Sequence, residues 1–163
     1  MTRTLNNRAI LALRSLALLL CLACASAAQA FDLQGHRGAR ALAPENTLTG
    51  FERALAIGVS TLELDVVLSA EGVPVVSHDT TPNPDITRDA EGRWLQTRGP
   101  AFHTLTLAQI AAYDVGRINP ASRYARDYPL QQAVDGERIP TLAAVFELTR
   151  RVQARHVRFN IEL

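Results

Sequence analysis

Hydrophobic and polar residues alternate along the chain with periods that read, in order, as strand, helix, two strands, an irregular segment, helix and strand. Residues 33–36 form a short strand that runs into a glycine-flanked loop. Between 47 and 57, Leu48, Phe51 and Leu55 recur at helical spacing, with Asn46 placed to cap that helix and Gly58 to end it. Residues 61–68 alternate with period two: Leu62, Leu64, Val66 and Leu68 share one face, and Glu63, Asp65 and Val67 share the other. If helices cover the sheet, the apolar face meets them and the two carboxylates point inward. A barrel whose centre opens onto a site suits that inversion.

Ala70-Glu71-Gly72 makes a turn before a third strand at 73–77, which delivers His78 at its end. The connection has no room for a crossover helix. Local geometry therefore suggests a hairpin, whereas a parallel barrel needs a helix-free return at this point. Residues from about 80 to 140 carry Pro82, Pro84, Pro100, Pro120, Pro129 and Pro140, with one short helix expected at 107–113. Irregular segments of this length usually cover a site or bind something, so a lid or insertion over a barrel mouth is expected. An amphipathic helix follows at 141–155 with Leu142, Val145, Phe146, Leu148 and Val152 inward, and then a strand at 157–163 that carries Glu162.

Composition narrows the class. With 47% apolar residues, 20% charged residues and a net charge of +1, the chain reads as globular and implies no nucleic-acid partner. The first thirty residues stand apart: Arg3, Arg8 and Arg14 precede an apolar run, and Ala28-Gln29-Ala30 supplies a small-x-small cleavage pattern. Residues 1–30 are expected to be a signal peptide cleaved between Ala30 and Phe31, giving a periplasmic or secreted protein without a stable membrane anchor. The run falls short of the roughly 20 residues a span needs. Cys21 and Cys24 both lie in this leader, so the mature part, 31–163, has neither disulfides nor thiolate metal ligands.

Three polar clusters carry chemistry. Glu63 and Asp65, two apart on one strand face and roughly 7 Å apart at the backbone, can bind one hard cation such as Mg²⁺ or Ca²⁺. The bland alternative is a pair of solvated acids on an edge strand; the neighbouring leucines argue against it. Glu162, inside another β-rich run, is a natural third ligand. His36 and His78 sit at two strand ends, where imidazoles can take and give protons near neutral pH. Arg37 can make the bidentate contact a guanidinium offers to phosphate oxygens. His103 and His156 read as structural.

His36-Arg37-Gly38, Pro44-Glu45-Asn46-Thr47, Glu63-Leu64-Asp65-Val66, Pro74-Val75-Val76-Ser77-His78-Asp79 and Ile139-Pro140-Thr141-Leu142 stand in the order and spacing of the glycerophosphodiester phosphodiesterases. The chain resembles that family from about residue 33 to its last residue. The resemblance implies an α/β fold, a (β/α)₈ TIM barrel of the phospholipase-C-like phosphodiesterase type, with the parallel return between the second and third strands. It implies one divalent cation, Ca²⁺ or Mg²⁺, on Glu63, Asp65 and Glu162, His36 and His78 as general acid and base, and Arg37 on the phosphate. The implied reaction is hydrolysis of a small-molecule glycerophosphodiester to glycerol 3-phosphate and an alcohol. Such a barrel needs about 250 residues, so the chain is expected to hold about its first half. The rival expectations are a truncated, non-catalytic fragment and a phospholipase-like relative with another head-group preference.

Overall fold

The helix that follows the first strand begins and ends for identifiable reasons. In the computed structural model, which describes residues 31–163, α1 spans Leu48–Ile57. Its N-cap is Thr47, whose hydroxyl accepts from the Gly50 N–H at 3.0 Å. Gly58 closes it in the left-handed conformation, φ 91°. Asn46, expected to be the cap, is instead left-handed itself at φ 54°; its side chain is drawn away to the buried Asp65. The leader and cleavage site read from residues 1–30 lie outside the described residues.

The remaining elements are β1 (Gln34–Gly35), β2 (Thr61–Leu68), β3 (Pro74–Val76), a 3₁₀ turn at Phe102–Thr104, α2 (Leu107–Ile110), α3 (Tyr124–Asp127), α4 (Leu142–Arg151) and β4 (Arg158–Glu162). β2 is the centre of the sheet. It pairs in parallel with β1, through Gln34↔Thr61 and Gly35↔Leu62, and with β4, from Thr61↔Arg158 to Asp65↔Glu162. The inversion expected of β2 is present. Leu62, Leu64 and Val66 pack with Phe51 and Ala54 of α1 and Val145 and Leu148 of α4 in one buried cluster. Parallel strands joined in chain order, with both covering helices on one face, form a sector of barrel wall rather than a sheet wound in two directions.

β3 corrects the sequence expectation. It pairs with β2 antiparallel, through Val66↔Val76, Val67↔Val75 and Leu68↔Pro74, so the hairpin suggested by local geometry is present and the parallel, helix-free return is not. Residues 69–73 close the turn, with Ser69 and Val73 joined by a backbone hydrogen bond and Gly72 at φ 73°. A parallel return needs a dozen or more residues to travel back along the sheet.

The middle segment is ordered by its own contacts. Phe102, Leu105 and Ile110 bury against Val75 of β3, and Arg88 reaches both Asp114 and Asp135 at 2.6 Å. The helix expected at 107–113 is the single turn of α2, capped reciprocally by Thr106 and Gln109; α3 carried no periodic signal. α4 stops at Arg151 rather than 155, just before Gln153 turns left-handed at φ 57°. Phe146 and Val152, expected inward, are 38% and 45% exposed, and Phe146 rests edge-on against Phe159 at 4.8 Å. Among the described residues no helix is long and apolar enough to cross a membrane.

Because Leu64 is fully buried between the two helices, Leu64→Ala is expected to destabilise the chain by about 2–5 kcal/mol. Leu130→Ala, at a residue 73% exposed, is expected to stay within about 0.5 kcal/mol. Urea unfolding midpoints of the two variants check the contrast.

Candidate active site

The face of β2 opposite the core carries Glu63 and Asp65, which are 4% and 7% exposed. Strand register sets their neighbour: Asp65 lies directly across from Glu162 on β4. One oxygen from each of the three carboxylates lies within 4.8 Å of the others. This crowding has an electrostatic consequence. Burial holds the Glu63 pKa above its ordinary value, with Asp65 and Glu162 adding to the shift against the opposing Arg37 N–H and His36. Three convergent carboxylates, two of them desolvated, are the donor set a hard divalent cation takes.

The loop after β1 wraps this cluster. Arg37 at φ 52° and Gly38 at φ 81° reverse the chain, and a side chain at Gly38 would strike the Gly50 backbone at 2.8 Å. The turn aims the Arg37 N–H at Glu63 Oε2, 2.5 Å away. The Arg37 guanidinium folds back inside: Nη1 meets Glu45 Oε1 at 3.0 Å, and Nε stands 3.5 Å from Asp65 Oδ2. Burial works against this cation, but Glu45 and then Asp65 outweigh it and hold its pKa above the ordinary value. Asn46 Nδ2 donates to Asp65 Oδ2 at 3.0 Å, and its backbone N–H donates to the Arg37 carbonyl at 3.0 Å. Asp65 is therefore gripped from the loop by an amide and a guanidinium.

The two histidines approach from different sides. His36 places Nε2 3.9 Å from Glu63 Oε2 and Nδ1 3.1 Å from Arg40 Nη2, with its side chain 56% exposed. His78 follows β3; the Ser77 N–H donates to the Asp65 carbonyl at 3.0 Å, and His78 lines a cleft shared with Glu45 and Asn46. Beside it, burial raises the Asp79 pKa, but hydrogen bonds from Arg98 and Asn83, both at 2.8 Å, outweigh this and hold it low. Glu63, Asp65, Glu162, Arg37 and His36 thus form one cluster, and His78 opens onto the cleft adjoining it.

Sequence reasoning gave no role in the site to four residues of this arrangement. Glu45 and Asn46 stand inside the loop between β1 and α1, where a carboxylate and an amide among apolar neighbours were the available signal. Arg40 carried no signal beyond its nearness to His36. Tyr124, from α3, donates its hydroxyl to Glu45; burial and then the Glu45 charge raise its pKa, so it remains a donor. Nothing local in the sequence marks it, because its partner lies across the fold.

Comparison with known proteins agrees with this geometry. The model of the glycerophosphoryl diester phosphodiesterase family matches residues 36–163. A glycerophosphodiester phosphodiesterase of Caldanaerobacter subterraneus subsp. tengcongensis is 39% identical over 113 residues, covering 69% of this chain and 38% of that protein. The solved structure of a Silicibacter pomeroyi protein assigned as a glycerophosphoryl diester phosphodiesterase superposes with a TM-score of 0.77 at 37% identity, covering 82% of this chain and 45% of that one. An Oleispira antarctica phosphodiesterase in complex with the product sn-glycerol-3-phosphate gives 0.56 at 27% identity, covering 80% of this chain and 43% of that one. The chain spans less than half the length of each of these relatives. Strand order, the inward carboxylates and a family match reaching from the His36 loop through β4 lead to one assignment: the chain belongs to the glycerophosphoryl diester phosphodiesterase family.

Proposed function

We propose that this protein hydrolyses glycerophosphodiesters to glycerol 3-phosphate and an alcohol, using one divalent cation, Ca²⁺ or Mg²⁺, held by Glu63, Asp65 and Glu162. The observation that carries the reading is the convergence of those three carboxylates within 4.8 Å beside a buried guanidinium. The product bound to the Oleispira antarctica relative supports the substrate class. The chemistry such a cation supplies is withdrawal of charge from a phosphoryl oxygen and a lowered pKa for a hydroxyl nucleophile.

The chain's own residues do the rest. Arg37 spends Nη1 on Glu45, and its Nη2 has no carboxylate partner among the described residues, so that nitrogen is the one offered to a phosphate oxygen. Asn46 and Arg37 fix Asp65, which limits its rotation as substrate arrives. His36, with Nε2 toward Glu63, and His78, in the adjoining cleft, carry the protons of the nucleophile and the leaving alcohol. Export through the leader at 1–30 puts this activity in the periplasm or outside the cell, and the products belong to lipid and glycerol metabolism.

The experiment is direct: supply a glycerophosphodiester and measure released glycerol 3-phosphate. Release is expected to stop with chelator, to return with Mg²⁺ or Ca²⁺, and to fall by about 10²–10⁴-fold in both His36→Ala and His78→Ala. Turnover that survives chelation contradicts the proposal.

A stability measurement addresses the carboxylates separately. Since the folded pKa of Glu63 lies above its ordinary value near 4.5, its contribution is most favourable below that value and declines as pH rises through the folded pKa. In chelator, Glu63→Gln is therefore expected to flatten the fall of the melting temperature between mildly acidic and neutral pH. Cation at a hundred times its Kd is expected to add about 2.7 kcal/mol to the parent chain and much less to the variant. Calorimetric melts with and without cation read both effects.

A further inference from the structure

A second guanidinium stands beside the site with no carboxylate partner among the described residues. Arg37 is only 12% exposed and shares its charge with Glu45 and Asp65. Arg40, three residues on, pairs with no carboxylate among the described residues. Its Nη2 is 3.1 Å from His36 Nδ1. The other ring nitrogen of His36 faces Glu63, so the imidazole stands between Arg40 and that carboxylate. Arg40 is therefore within reach of a substituent that passes His36 from a phosphate held at Glu63.

Arg40 is also built into place from both ends. Its guanidinium sits 4.8 Å over the ring of Tyr128, and Tyr128 is braced edge-on by Tyr124 at 4.8 Å. Its carbonyl accepts from Gln131 Nε2 at 2.7 Å, and the Leu42 carbonyl accepts from the Gln132 N–H at 3.1 Å. His36, Arg40 and Tyr128 line one cleft. The aromatic face there is already occupied by a cation, so it offers no box for a quaternary ammonium group.

We propose that Arg40, seated on Tyr128 beside His36, selects the alcohol side of the diester, favouring hydroxyl-bearing or anionic head groups and disfavouring quaternary ammonium ones. The inference rests on the hydrolytic reading above and names its substrate class. Guanidinium N–H groups donate to hydroxyls and anions, while a second fixed cation about 6 Å away in a partly wet cleft is disfavoured by about tenfold.

The test compares kcat/KM for glycerophosphoinositol and glycerophosphocholine in the parent chain, Arg40→Gln and Arg40→Lys. The inositol diester is expected to be preferred by about tenfold or more. Arg40→Gln is expected to bring the ratio close to one, chiefly through KM, and Arg40→Lys to keep most of it. A parent ratio near one or favouring choline overturns the proposal, as does a ratio indifferent to Arg40→Gln. Calorimetric titration of the cation-supplied chain with inositol 1-phosphate and with phosphocholine measures the same discrimination without turnover. If neither diester is cleaved, the hydrolytic reading fails by itself and the calorimetric ratio decides the role of Arg40; equal binding, or none of either ligand, overturns it.

Discussion

Two carboxylates buried in one strand, with an exposed third across the ladder from them, repel one another with two of the three charges withdrawn from water. Burying an ionised carboxylate is costly unless something compensates it, and Glu63 answers by holding its proton more tightly than an ordinary carboxyl. The rest of the site is organised around that repulsion. The Arg37 N–H, the Arg37 guanidinium and the Asn46 amide all converge on Glu63 and Asp65, and a loop with two consecutive left-handed residues is what allows one short stretch to supply them. The compensation is incomplete: the Arg37 Nε and Asn46 Oδ1 atoms are buried without hydrogen-bond partners among the described residues.

That arrangement connects distant parts of the chain. Glu45 turns Arg37 inward, and Tyr124, from the proline-rich middle segment, holds Glu45. The same segment packs on β3 through Phe102, Leu105 and Ile110, and β3 is the hairpin partner that brings His78 to the site. The middle segment thus supports the site through a hydroxyl and an apolar cluster at once. The core on the other face of β2 acts by packing alone. Leu62, Leu64 and Val66 hold the strand against two helices, which fixes the backbone positions of Glu63 and Asp65.

Much of this was legible in the sequence because it depends on period and local spacing. The alternation in β2 separates core from site residue by residue, and the bounds Thr61–Leu68 follow from it. Glu63 and Asp65 were readable as a pair because they share one face of an otherwise apolar strand, and Glu162 joined them as a carboxylate inside a second β-rich run. What the sequence hid was set by contacts between remote residues. Asn46 looks like a helix cap until Asp65 claims its amide, and then Thr47 takes the cap. Phe146 fits an inward helical position, yet its ring lies at the margin against Phe159. The return of β3 shows the opposite balance: the five-residue connection carried the right geometry, and the parallel version implied by resemblance did not survive it.

The central claim is that strand register makes Glu63, Asp65 and Glu162 a single cation site, and Glu162 tests it best, since this exposed residue on β4 can change with little effect on the core. Isothermal titration of the chelator-stripped chain with Mg²⁺ and with Ca²⁺ is the measurement. One site per chain is expected for at least one of the two ions, weakened by tenfold or more in Glu162→Ala while the melting temperature without cation is unchanged or higher. A site of undiminished affinity in Glu162→Ala, or no binding of either ion to the parent chain, would contradict the account.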